Sequence, residues 1–281
     1  MSATQSGRKR PLALVTGASA GLGRVFAERL AADGHDLVVV ARDEGRLQSL
    51  ATHVGKRHHA HVEVLAADLS RKKSVRVVED RIAALPPLAL LVNNAGFGTA
   101  GAFAELDVDR EEDEVRVNVV ALVRLTRAAL GPMLAKGRGA IINVSSIAGF
   151  QPGPYSATYA ATKAFVTTFT ESVAEELRDT GVRVQALCPG FTRTEFQDRA
   201  GIDVSDLPEI AWMSAEDVVE SSLVALLRGE VVHVPGRANK VATALLGFAP
   251  RSALRRVAGA MMRPRVPSRP GEPPSDRSTE D

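Results

Sequence analysis

The chain has 281 residues, 45% hydrophobic and 24% charged, with a formal net charge of +2. That length suits one large α/β domain or two small ones, and so small a net charge gives no reason to expect nucleic acid or a membrane surface as partner. One cysteine, Cys188, excludes an intramolecular disulfide and fits a reducing cytosol, so a cytoplasmic protein is expected.

Residues 1–10 are polar and basic and read as a flexible N-terminus. Only about five apolar residues follow before Gly17, too few for a signal peptide. No uninterrupted apolar run reaches the roughly eighteen residues of a membrane span. Short apolar runs at 12–15, 37–41, 62–65, 88–92, 140–144, 182–187 and 231–234 predict strands. Between them, helical spacing predicts helices over 25–32, 47–54, 74–85, 111–134, 160–178 and 215–227. Val25, Phe26 and Leu30 share a face of the first. Pro86-Pro87 closes the third, and Pro132 is expected to bend or end the fourth.

Strands alternate with helices, and the strands are continuous apolar runs, as expected when both sheet faces are covered. The fold class is therefore α/β: one Rossmann-type, doubly wound parallel sheet with helices on both faces, spanning 11–236. Ligands are expected beyond the carboxyl ends of the strands.

The first strand runs into Thr16-Gly17-Ala18-Ser19-Ala20-Gly21-Leu22-Gly23, and a helix follows. Glycine there lets a phosphate approach the backbone, and the helix N-terminus offers free N–H groups. In that position the motif is a dinucleotide signal. Its spacing, Gly-x-x-x-Gly-x-Gly, resembles the nucleotide loop of the short-chain dehydrogenase/reductase family. Asp68-Leu69, Asn93-Asn94-Ala95-Gly96, Asn118, Ser145-Ser146, Tyr159-Ala-Ala-Thr-Lys163 and Pro189-Gly190 follow in that family's order. The resemblance implies that Gly17, Ser19, Ala20, Gly21, Leu22 and Gly23 hold a nicotinamide dinucleotide. It sets Asp68 and Leu69 against adenine, and Asn94, Ala95 and Gly96 beside the adenosine ribose. Pro189, Gly190, Thr192 and Thr194 fall on the nicotinamide side.

Arg42 ends the second strand, where NAD-dependent members of that family usually carry a carboxylate. A guanidinium can bind a ribose 2′-phosphate with paired hydrogen bonds, which favours NADP(H) over NAD(H). Asp43, the next residue, keeps NAD open.

Tyr159 and Lys163 are four residues apart at a helix start and share a face. Free tyrosine titrates near pH 10, and a nearby ammonium together with an oxidised nicotinamide would favour its phenolate. Tyr159 could then donate a proton to a carbonyl oxygen or take one from an alcohol. By the resemblance, Ser146 rather than Ser145 orients the substrate oxygen, and Asn118 holds a water that links Lys163 to solvent. The reaction implied is hydride transfer between nicotinamide and a carbonyl or secondary alcohol, expected as reduction of an apolar ketone or aldehyde. An NAD-linked alcohol or hydroxy-acid dehydrogenase is the alternative enzyme, and a non-catalytic nucleotide-binding regulator the alternative class. The partner is then a small-molecule carbonyl or alcohol.

Residues 195–213 should form an apolar lid carrying Phe196, Ile202, Val204, Leu207, Ile210 and Trp212, and Tyr155 should line the cleft. His58, His59 and His61 lie in a helix–strand loop with no cysteine nearby, so no metal site is expected. Cys188 should be a packed core residue. By the resemblance, the helices at 111–130 and 160–178 pair two subunits, giving a homodimer or homotetramer. Beyond 236, residues 237–263 read as two short basic amphipathic helices separated by Pro250, with Val241, Leu245 and Phe248 on one face and Leu254, Val257 and Met261 on another. They are expected to pack on the protein's own cleft or on a sister subunit, an anionic membrane being the alternative. Residues 264–281, rich in Pro, Ser, Arg and acids, read as a disordered tail.

Overall fold

The computed structural model describes residues 10–205, 207–246 and 250–263. The expected flexible N-terminus below residue 10, the tail at 264–281 and Phe248 lie outside the described residues. The chain opens with β1 (Leu12–Thr16), α1 (Gly21–Ala32), β2 (Asp36–Ala41), α2 (Glu44–His58), β3 (Val62–Ala66), α3 (Lys72–Ala84) and β4 (Leu90–Asn93). One continuous helix then comprises α4 (Val108–Val115), a π-helical segment (Arg116–Ala121) and α5 (Leu122–Lys136). β5 (Gly139–Val144), α6 (Ala157–Glu176), β6 (Val182–Leu187), α7 (Phe196–Ala200), α8 (Ala215–Leu227) and β7 (Val232–His233) follow. Two last helices, α9 (Arg237–Leu246) and α10 (Arg251–Met262), close the described chain.

The seven strands form one sheet in the order β3-β2-β1-β4-β5-β6-β7, and every pairing is parallel. Helices cover both faces. On one, Phe26 and Leu30 of α1, Leu47, Leu50 and Val54 of α2, and Val218, Val219 and Leu226 of α8 pack on the strands. On the other, Val75, Val78 and Ile82 of α3 and Leu125, Ala129 and Met133 of α5 join Val173 of α6. Each fully buried Leu, Val or Phe is worth about 1.5–3 kcal/mol relative to exposure, so the two layers hold the sheet from both sides. This explains the unalternating apolar strands. Chain order reverses direction at β1 and β4, which are neighbours, and the crevice between them opens at their carboxyl ends.

Among the strands, β4 starts at Leu90 rather than 88 and β7 shortens to Val232–His233; the other departures from expectation lie at helix ends. α1 starts at Gly21 rather than 25, because the glycine segment itself makes the first turn. α2 starts at Glu44, capped by Asp43, whose carboxylate accepts from Arg46 N at 2.9 Å. Apolar periodicity marks only the buried middle of such helices. Pro132 neither ends α5 nor stops the helix, which runs on to Lys136 and terminates at Gly137 with φ 64°. The 29 residues Val108–Lys136 are long and apolar enough in composition to cross a bilayer. In this fold Leu122, Leu125, Ala129 and Met133 instead bury that helix against the sheet.

Candidate active site

A cleft of about 970 Å3 opens over the carboxyl ends of the strands. At its floor, Thr16 ties β1 to β4. Its hydroxyl oxygen accepts from the N–H groups of Asn94 and Ala95, both at 3.0 Å. Asn94 returns the contact, its side-chain amide donating to Thr16 O at 2.9 Å. The three glycines have three separate reasons. Gly17 has φ 67°, and a Cβ there would lie 2.7 Å from Asn94 Nδ2. Gly23 is where α1 meets the turn, and a Cβ would lie 2.3 Å from Gly17 O. Gly21 has φ 52°, and a Cβ there would meet only Thr194, in ordinary contact at 3.4 Å across the cleft. Gly21 is thus favoured by its left-handed backbone and is the one of the three with room for a ligand to approach, whereas Gly17 and Gly23 are demanded by the protein's own packing.

Gly17, Ser19, Ala20, Gly21, Leu22, Arg42, Asp68, Leu69, Asn94, Ala95 and Gly96 line one arm of the cleft. Ser146, Tyr159, Lys163, Pro189, Gly190, Thr192 and Thr194 line the other. Two expected site residues do not reach it. Gly23 is buried beneath the turn, and Asn118, 1% exposed, lies below the wall. Tyr155 also stays out of the lining. Its backbone is left-handed, φ 63°, and its carbonyl accepts from Gly101 N at 2.8 Å.

Arg42 is exposed and makes no hydrogen bond or ion pair among the described residues. Asp43 is committed to capping α2. Arg46, which the sequence reading passed over, brings a second guanidinium to this corner, where it pairs with Glu195 at 3.0 Å.

On the catalytic side, the two serines after β5 part company. Ser145 is buried, its hydroxyl donating to Lys163 O at 2.8 Å. Ser146 faces the cleft, accepts from Ala148 N at 3.1 Å and is hydrogen-bonded to the Tyr159 hydroxyl. Lys163 is 5% exposed and donates from Nζ to Val144 O at 2.8 Å. Burial lowers its pKa to about 8, with Glu114 opposing. Around the Tyr159 hydroxyl, desolvation prevails and pushes the phenol up to about 12; the Ser146 bond acts downward and Glu114 upward. The expected phenolate is therefore not what the chain alone favours, because loss of water outweighs the Ser146 hydrogen bond. Tyr159 is held as a protonated phenol, the form that can give a proton.

Asn118 sits in the π-helical segment, a local break of the kind that often marks functional sites. Its amide donates to Phe97 O at 2.9 Å and to Thr162 Oγ1 at 3.1 Å, and its carbonyl oxygen accepts from Phe97 N. The side chain is fully engaged in pinning α6 to the segment after β4.

Two carboxylates under this wall were missed. Glu114 is fully buried, with one oxygen accepting from Thr99 Oγ1 at 2.8 Å and the other unpartnered. Glu111 is 7% exposed, bonded to Thr158 through one oxygen and unpartnered at the other. The lid adds Phe196, whose ring lies 5.3 Å from that of Tyr159. Ile202 lines the cleft as expected, whereas Ile210 is 88% exposed. Cys188 is fully buried, which pushes its thiol up to about 11.

The match to known proteins agrees with this geometry. The short chain dehydrogenase family model matches residues 11–204. A sulfoacetaldehyde reductase of Chromohalobacter salexigens is 38% identical over 74% of this chain and 85% of its own. Among solved structures, a Sphingobium yanoikuyae short-chain dehydrogenase in complex with NADPH is 38% identical, with TM-score 0.78 over 95% of this chain and 99% of its own. A Comamonas testosteroni alcohol dehydrogenase specific for bulky-bulky ketones is 34% identical, with TM-score 0.74 over 86% and 94%. A Burkholderia phymatum member in complex with NAD is 26% identical, with TM-score 0.74 over 84% and 92%.

Proposed function

The chain belongs to the short-chain dehydrogenase family, and from that premise we propose that it is an NADPH-dependent reductase of apolar ketones or aldehydes. It is an oxidoreductase acting between CH–OH and C=O groups. The observation that carries the finer reading is the convergence of Ser146, Tyr159 and Lys163 on a cleft whose far corner holds Arg42, unpaired among the described residues.

The residues fit the cofactor. The open backbone at Gly21 and the start of α1 suit a pyrophosphate. Arg42, without a carboxylate partner among the described residues, suits a 2′-phosphate, and Arg46, held by Glu195 and Asp43, stands beside it as a second guanidinium. When bound, NADPH supplies the hydride to the carbonyl carbon. Ser146 and Tyr159 present two hydroxyls to the carbonyl oxygen, and Tyr159 gives it the proton. Lys163 stands next to Tyr159 to restore that proton. With its side chain spent on Phe97 and Thr162, Asn118 would hold a relaying water by its main-chain carbonyl in the π-helical segment.

The substrate end is lined by Phe97, Ile147, Phe191, Phe196, Ile202 and Met262, which supports an apolar carbonyl. The test is a comparison of kcat/KM for NADPH and NADH across a ketone and aldehyde panel. Wild type should prefer NADPH, and Arg42→Asp should cut that preference by roughly tenfold or more. A wild-type preference for NADH, or an unchanged ratio in the variant, refutes the assignment of Arg42.

A further inference from the structure

The C-terminal helices turn unexpected faces to the body. In α10, Leu254, Ala258 and Met262 form the inner side: Ala258 is 8% exposed, and it and Met262 line the cleft. Gly259 lies against Pro154. In α9 the inner side carries Asn239 and Thr243 together with the partly buried Leu246. Asn239 donates to Pro235 O at 3.0 Å and packs on Gly190 and Met213, and Thr243 bonds back to its own helix. Three larger aliphatic residues point outward, Val241 being 61%, Leu245 63% and Val257 58% exposed. The expected grouping of Val257 with Leu254 is thereby corrected, since the helix buries Ala258 instead.

Exposed cations surround that apolar set. Arg237, Lys240, Arg251, Arg255, Arg256 and Arg263 are all at the surface, residues 237–263 contain no Asp or Glu, and none of the six is ion-paired among the described residues. Elsewhere on the molecule arginines pair freely with acids, as Arg81 does with Glu63 and Arg46 with Glu195. A second copy docking here through a two-fold axis would set the same cations against themselves. An anionic bilayer satisfies both features, taking aliphatic side chains at its acyl boundary and cations at its headgroups.

We propose that the outer faces of α9 and α10 dock on an anionic lipid surface, with Val241, Leu245 and Val257 inserted and the flanking arginines and lysine on the headgroups. The test uses the full chain, sedimented with vesicles of phosphatidylcholine alone or with about 30% phosphatidylserine, at low and high salt. Expected is binding to the phosphatidylserine vesicles that weakens as salt rises, and none to phosphatidylcholine alone. Val241→Ser/Leu245→Ser/Val257→Ser and Arg255→Glu/Arg256→Glu should each weaken it roughly tenfold or more, with melting temperatures kept as proof of folding. The proposal is overturned if wild type stays in the supernatant at low salt or binds both vesicles equally. It is also overturned if the serine variant instead lowers the mass of the lipid-free protein, which would make this face a subunit contact.

Discussion

Glu114 and Glu111 sit three residues apart on α4, and Asn118 follows four residues on, so all three share the inward face of one continuous helix. That spacing was visible in the sequence, yet nothing in it marks Glu111 and Glu114 as the buried carboxylates of an otherwise mostly exposed acidic run, because buried carboxylates are rare. Burial pushes Glu114 up to about 7, against 4.5 when unfolded. Between those values the unfolded chain binds fewer protons than the folded one, so stability falls as pH rises from about 4.5 through about 7. Glu114→Gln should therefore melt higher than wild type at pH 8 and nearly equally at pH 5. Equal melting at both would mean that Glu114 is never ionised at a cost. Ser145 and Ser146 show the opposite degree of legibility: family order pointed to Ser146, and the fold gives the reason, Ser145 being turned inward onto Lys163 O.

Strands were legible because both faces of the sheet are covered, which leaves continuous apolar runs. Helix starts were not, since α1 and α2 begin on a glycine turn and an Asp cap that carry no apolar signal. The contact between α1 and the turn allows a sharp test. Gly23→Ala places a Cβ 2.3 Å from Gly17 O, so α1 must move off the phosphate turn. A loss of about 1–3 kcal/mol in stability is expected, with weakened NADPH binding by titration; wild-type affinity would show that the turn is not the nucleotide site. The outer faces of the long helices make a second case. Val115, Val120 and Leu134 are 39%, 46% and 42% exposed, and Phe165, 43% exposed, stacks on Phe169 at 5.8 Å. We infer that these faces of α4–α5 and α6 pair between subunits. Light scattering should give a dimer or tetramer mass for wild type and a lower mass for Phe165→Glu, whereas a monomeric wild type contradicts the pairing.

At the scale of the whole molecule, one parallel sheet creates the crevice, and strands β1 to β6 each deliver functional residues at the same end. Thr16-to-Gly23 follows β1, Arg42 follows β2, Asp68 follows β3, Asn94 follows β4, Ser146 follows β5 and Pro189 follows β6. Motif order along the chain therefore translated directly into neighbourhood in space. The C-terminal helices did not translate so well: their existence and the break at Pro250 were readable, but not which side faces the cleft, because short Ala-rich helices present two competing apolar stripes. Proton donation by Tyr159 in carbonyl reduction is tested most directly by one steady-state comparison of wild type with Tyr159→Phe, using NADPH and an accepted apolar ketone. The variant should bind NADPH with nearly unchanged Kd and lose about a hundredfold or more in kcat. A Tyr159→Phe enzyme that turns over within about twofold of wild type would contradict the assignment.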